Sequence, residues 1–259
     1  DGFEMYNLHA NLFLNLGQAA VLVAKVEMGD PGLPHPALAL LPIISEDPAY
    51  LDTWSQTLAA GARRITTMGT DCHRNSFPQL MADGQRVDSY ERMMRWFSNH
   101  LLIEPGQDDS FDDEALRDAL AAGRLYGAFE LLGFPRGFDF HAREDGDVIR
   151  EIGGESSLAA GATLHVTAPT VAKLDPNATR PLLTLRLLRA GPETWEEVAS
   201  ASADEGAPLS LSHAPDQPGA YRAEVRMAPR HLEGYVGDYV ELLAGDFVWI
   251  YSNPIYVVE

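Results

Sequence analysis

A single cysteine, Cys72, stands in a chain of 259 residues, so no internal disulfide framework holds this fold. Cations are scarce too: 19 lysines and arginines face 38 aspartates and glutamates, a formal net charge of −19. That balance excludes a general nucleic-acid binder, which needs a basic footprint to displace counterions. It also disfavours docking on anionic lipid, and it is read as solubility rather than as a special partner. No run reaches the roughly 18 consecutive apolar residues of a membrane span. Nothing in the sequence fixes the compartment. The chain has no Gly-x-Ser-x-Gly elbow, no phosphate-binding Gly-x-x-x-x-Gly-Lys loop and no His-Glu-x-x-His. Ser76 lies near His73, but no orienting acid or oxyanion hole can be read beside it. What the chain does have is a hydrophobic fraction of 46% and a charged fraction of 22%, ordinary globular values. Its length allows two modest domains or one barrel-sized domain with a real core.

The stretch with the most chemistry is Gly69-Thr70-Asp71-Cys72-His73-Arg74-Asn75, after the β-prone Arg63–Met68. On an extended strand, residues i and i+2 point to the same side, so Asp71 and His73 can converge on one point. Gly69 permits a tight backbone there, and Arg74 and Asn75 add polar donors. A carboxylate with an imidazole is a mixed ligand set that suits zinc, manganese or iron. The plainer alternative is a polar loop that happens to carry both. Cys72, between the two, is expected to point away and pack as a small buried residue.

This motif resembles the last metal-binding motif of the PHP (polymerase and histidinol phosphatase) superfamily, where a strand ends in Gly-x-Asp-x-His. The opening Asp1-Gly2-Phe3-Glu4-Met5-Tyr6-Asn7 is similar to a second motif of that family, a metal-bridging Glu followed by Tyr-Asn. The tail Phe247–Val257 is similar to the ending of members with an extra C-terminal β-domain, and the three segments stand in the family's order. The carbaryl-hydrolase-like branch is the nearest in pattern. The resemblance implies a metal-dependent hydrolase, first of phosphate esters through a metal-activated water, alternatively of esters, amides or carbamates. It implies Glu4, Asp71 and His73 as metal ligands, with Glu4 bridging two divalent ions (Zn, Mn or Fe). It implies Asp71, His73 and Arg74 as the catalytic group, Arg74 or Asn75 steadying a phosphoryl oxygen of a small phosphate-ester substrate. The reading outside enzymes is a binding module with an inert barrel remnant. One departure stands out: PHP proteins begin with His-x-His, and this sequence has none. The chain is therefore expected to be the C-terminal part of a longer protein and to turn over poorly alone. Open strand edges would favour a dimer or a retained N-terminal piece.

In chain order, Asp1 to Leu8 reads as a strand running into a helix, with His9 close enough to reach the same site but read first as a helix-surface or supporting residue. Leu12–Met28 has helical apolar spacing. Gly29–Pro36 is a Pro/Gly breaker that leaves His35 as a loop residue. Asp47-Pro48 opens the next helix, with Gly61 as its cap. Ser89–Leu102 reads as a helix, and the acidic run Asp108–Glu114 as the N-terminal cap of a helix Asp113–Ala122 ended by Gly123. A second Asp-x-His, Asp139-Phe140-His141, sits on a half-buried surface or edge strand and is read as non-catalytic. From about Gly153 short alternating runs appear: Thr163–Ala168, Pro181–Arg189, Trp195–Ser200, Leu209–Ser212, Gly219–Met227 and Phe247–Val258. Their spacing is that of a β-sandwich. The expected architecture is α/β: a partial PHP-type distorted barrel over residues 1–150, then an antiparallel β-sandwich-like domain over 151–259. The apolar last run is expected to pair, returning toward the first part.

Overall fold

The computed structural model describes residues 2–104, 106, 108, 110–145 and 147–259. Asp1 and Asp109, drawn on above, lie outside the described residues. The first strand, β1 (Gly2–Asn7), ends in a residue that caps the helix after it: Asn7 Oδ1 accepts from His9 N at 2.9 Å and Ala10 N at 3.1 Å. Two helices, α1 (Leu8–Leu14) and α2 (Leu16–Met28), replace the single one expected from Leu12. The break falls at Asn15, whose Nδ2 donates to the Asn11 carbonyl at 2.8 Å and to Ser45 Oγ at 2.7 Å. A short amide side chain that bonds locally competes with the helical ladder, and here it bends the path. Asp47 caps α3 (Pro48–Ala59) through Ala49 N at 3.0 Å, as the Asp-Pro pair predicts. Next, β2 (Ile65–Gly69) lies parallel to β1, with Glu4 opposite Thr67 and Asn7 opposite Gly69.

The helix expected over Ser89–Leu102 is shorter than the sequence suggests. Only α4 (Tyr90–Met94) is helical, and Ser98–Leu101 forms strand β3. Beyond the buried Trp96 and Phe97, Ser98, Asn99 and His100 are weak helix formers, and a partner strand claims their backbone. After α5 (Asp113–Ala122), capped by Asp112 and ended at Gly123 with φ 71°, that partner follows as β4 (Leu125–Ala128). The strands β5 (Pro135–Arg136), β6 (Asp139–Glu144), β7 (Val148–Glu151) and β8 (Glu155–Ser157) come next. The alternating runs then appear as β9 (Thr163–Thr167), β11 (Leu182–Ala190), β12 (Trp195–Asp204), β13 (Ser210–His213) and β14 (Gly219–Ala228), and a short strand outside those runs, β10 (Thr170–Val171), lies between β9 and β11. The last run is two strands, β15 (Phe247–Ser252) and β16 (Ile255–Val258), parted at Asn253-Pro254.

These strands make an eight-stranded sheet along the path β12-β11-β14-β15-β4-β3, with β16 joined to β14 and β8 to β16. The six-stranded path is curled and half-closed, not a closed barrel. A four-stranded antiparallel sheet runs β13-β9-β6-β7, so β6 is an inner strand rather than an edge. Its alternation is real, since Phe140 and Ala142 are buried while Asp139 and His141 are half-exposed. The returning tail pairs as expected, with Ile250 opposite Ala128 on β4. Trp54, Trp96 and Trp249 are fully buried in the shared core.

Among the described residues, the parallel pair β1–β2 is not laddered to the large sheet by backbone. Two side-chain amides do that work along the free edge of β2. Asn253 accepts from Thr66 N at 2.7 Å and donates to Thr66 O at 2.9 Å and Leu125 O at 3.2 Å. Asn99 likewise accepts from Met68 N and donates to Met68 O, both at 2.9 Å. Each amide thus satisfies a buried donor and acceptor that would otherwise be orphaned. Asn253→Ala is expected to cost about 2–4 kcal/mol, the penalty of several buried polar groups losing their partners. Urea unfolding measures this directly, and a cost below about 1 kcal/mol would mean that water replaces the amide without loss.

Candidate metal centre

Because β1 and β2 are parallel, their C-terminal ends fall together, and each delivers chemistry at that end. β1 passes through the Asn7 cap into α1, which carries His9, while β2 passes through Gly69 into the loop with Asp71 and His73. A Cβ placed on Gly69 would collide with Glu4 Oε1, so a larger residue there would push that exposed carboxylate off the strand end. Asp71 adopts φ 46°, the left-handed region that aspartate tolerates better than most residues.

His9 Nδ1 faces Asp71 Oδ2 at 3.5 Å, and His73 Nε2 faces Asp71 Oδ1 at 3.4 Å. The two rings are 4.1 Å apart between centroids, and one ligand atom from each residue lies within 4.8 Å of the others. Charge-assisted hydrogen bonds are shorter than this, about 2.7–2.9 Å. Ligands held about 2.0–2.1 Å from a tetrahedral zinc ion stand roughly 3.3 Å from one another. The observed separations leave room for a divalent ion among the three side chains. His9 Nδ1 is buried and, among the described residues, has no hydrogen-bond partner, which a cation between it and Asp71 would supply.

The opposite ring nitrogens are held from behind. His73 Nδ1 is 2.9 Å from Asn75 Oδ1, and His9 Nε2 is 3.5 Å from Ser76 Oγ, which itself donates to Asn75 Oδ1 at 3.1 Å. Such outer contacts orient ligating imidazoles. Burial, then the neighbouring His73 ring, pushes the His9 pKa down against the pull of Asp71 and Asp88, favouring the neutral ring that a metal requires. Asp88 is buried and fixes the loop behind His9, accepting from Ser76 N at 3.0 Å, Phe77 N at 2.8 Å and Arg86 Nε at 2.6 Å. Burial would raise its carboxyl, but Arg86 and the two backbone N–H groups outweigh that and hold it below the usual range.

Glu4 is exposed, accepts from Asn7 Nδ2 at 3.0 Å and lies outside the three-residue cluster. The Arg74 guanidinium sits over the Tyr90 ring at 5.9 Å. Cys72 is half-buried at the edge of the core rather than buried within it. His35 caps a short helical turn, its Nδ1 accepting from Ala37 N, as a loop residue would. His9 is what the sequence reading undervalued. The usable signal was a strand ending in an Asn cap, because that places the next histidine at the same end as the Asp-x-His.

The fold and the cluster together define an α/β protein with a His–Asp–His centre able to hold a divalent ion. No family model matches this chain, and no curated protein matches it either. Among the described residues no helix is long and apolar enough to cross a membrane.

Histidine burial sets an expected pH response. His100, His165 and His231 are all pushed below the ordinary value, in each case by burial first. The unfolded chain takes up protons at these rings near pH 6.5, while the folded chain does so only at lower pH. Their contribution is fully present above that pH and is lost as pH falls through the window beneath it. Urea midpoints with chelator present should fall steadily from pH 7.5 to 4.5. A maximum near pH 5.5 would contradict this.

Proposed function

We propose that this chain carries the centre of a metal-dependent hydrolase acting on phosphate esters. The observation that carries the reading is the buried, unpartnered His9 Nδ1 facing the Asp71 carboxylate, with His73 on its other oxygen. His9, Asp71 and His73 would hold a divalent ion, and such an ion supplies Lewis-acid polarisation and an activated water at neutral pH. The protein's own part is to keep His9 neutral, to aim both rings through Asn75 and Ser76, and to anchor the loop through Asp88. The PHP resemblance adds Glu4 as a bridge to a second ion and Arg74 or Asn75 as a contact to a phosphoryl oxygen. In the same reading residues 1–150 bear the chemistry and residues 151–259 support it.

The test is a substrate panel of phosphomonoesters, phosphodiesters, carboxyl esters and carbamates, run with added manganese or zinc. Turnover of a phosphate ester that is lost in His73→Ala supports the proposal. Turnover confined to carboxyl esters or carbamates moves the assignment to the alternative hydrolase. Equal turnover in His73→Ala refutes the site.

A further inference from the structure

The second Asp-x-His of the chain takes no part in the centre above. On β6 the side chains of Asp139, His141 and Arg143 share one face, opposite the buried Phe140 and Ala142. The strand register extends that face into a row. His141 stands directly across from His165 on β9 and from Glu151 on β7, and His165 stands across from Ser212 on β13. Directly paired residues bring their Cβ atoms to about 4.5–5.5 Å, close enough for two imidazoles to share a ligand. The two rings are already stacked, with centroids 5.2 Å apart and planes 21° apart.

Each ring is fixed through its Nδ1. Asp139 Oδ2 lies 2.8 Å from His141 Nδ1, and Ser212 Oγ lies 2.9 Å from His165 Nδ1. Arg143 Nε donates to His141 Nε2 at 3.3 Å, so His141 carries its proton on Nδ1 and its lone pair on Nε2. A carboxylate gripping one imidazole nitrogen prepares the opposite one for a metal, and in His141 that opposite nitrogen is the one Arg143 now holds. We propose that Nε2 of His141 and Nε2 of His165 bind a divalent transition-metal ion of the zinc, nickel or copper class, the Glu151 carboxylate turning in from across the register as a third ligand. This site is separate from the His9–Asp71–His73 centre and does not depend on the hydrolase reading. Arg143 competes with the ion for His141 Nε2 and must swing away when it binds. An ion there ties β7, β6 and β9 together across the sheet.

The experiment is equilibrium dialysis of the full chain against zinc in an Asp71→Ala/His9→Ala background, which removes the first centre. One zinc should remain bound. His165→Ala should weaken it at least about tenfold, and Asp139→Asn about 10- to 100-fold through loss of the ring's anchor. Arg143→Ala should tighten it, an effect that a merely structural pair of histidines would not show. With copper in the same background, paramagnetic resonance should show coupling to two imidazole nitrogens, a readout that needs no further variant. No bound zinc in that background, zinc binding unchanged by His165→Ala, or copper coupled to fewer than two nitrogens would overturn the proposal.

Discussion

Glu224→Ala is expected to cost about 3–5 kcal/mol, the cost of leaving buried charges without their partner. Glu224 is 1% exposed and lies among three arginines: Arg186 Nη1 at 2.9 Å, Arg222 Nη2 at 3.0 Å and Arg226 Nη1 at 3.0 Å. Arg186 and Arg226 have other carboxylates, Glu197 for the first and Glu46 and Asp246 for the second. Arg222 does not, since among the described residues its one ion pair is with Glu224. Its guanidinium is instead enclosed by the rings of Trp195 at 4.5 Å, Tyr251 at 4.6 Å and Trp54 at 5.7 Å. Alanine would strand that cation in an aromatic cage where its Nε and Nη1 already lack hydrogen-bond partners. Glutamine keeps the shape and an acceptor, so Glu224→Gln should cost less than alanine but more than nothing. Burial works to raise the Glu224 carboxyl, yet the three arginines prevail and hold it below the usual range. Its contribution is therefore present at neutral pH and is lost only as acid reaches that lowered pKa. Urea unfolding of the three proteins at neutral pH checks the order, and an alanine variant within about 1 kcal/mol of the parent would show the network to be dispensable.

The second large effect concerns metal. Asp71→Asn should weaken divalent binding at the centre by about 100-fold or more, equivalent to roughly 3 kcal/mol. Both histidines face the two oxygens of this one carboxylate, so its charge is what draws an ion between them. Asparagine keeps the side-chain outline and tolerates the left-handed backbone at position 71, so stability without metal should change by no more than about 0.5 kcal/mol. Calorimetric titration with zinc, paired with urea unfolding in chelator, separates the two quantities. Unchanged affinity would remove Asp71 from the ligand set. A large loss of stability would instead mean that Asp71 is structural.

How far the sequence could be read depended on the range of the interactions involved. The alternation in Gly219–Met227 and Pro181–Arg189 is local, and β14 and β11 appeared where it placed them. Caps are local as well, and Asp47, Asp112 and Gly123 act where expected. Ser98–Leu101 was misread because its strand state comes from pairing with β4, more than twenty residues further on. The break at Asn15 escaped for the same reason, since Ser45 is the distant group that holds its side chain. At the centre, Asp71 and His73 were legible as a two-residue spacing. His9 was legible only as near enough to reach the site, because its place there also needs the parallel pairing of β1 with β2, which the Asn7 cap alone does not encode.

The amide clasps on β2 have a mechanical consequence. The strand pair bearing His9, Asp71 and His73 meets the large sheet through Asn99, Asn253, the Tyr6 ring against Phe129 and Met68 against Gly127. A backbone ladder transmits every shift of one strand to the next, whereas side-chain clasps can tilt and re-form. The centre is thus mounted on a small platform docked against the sheet rather than woven into it. No ladder couples the two among the described residues, so the strand pair and the eight-stranded sheet are separate backbone units joined through side chains.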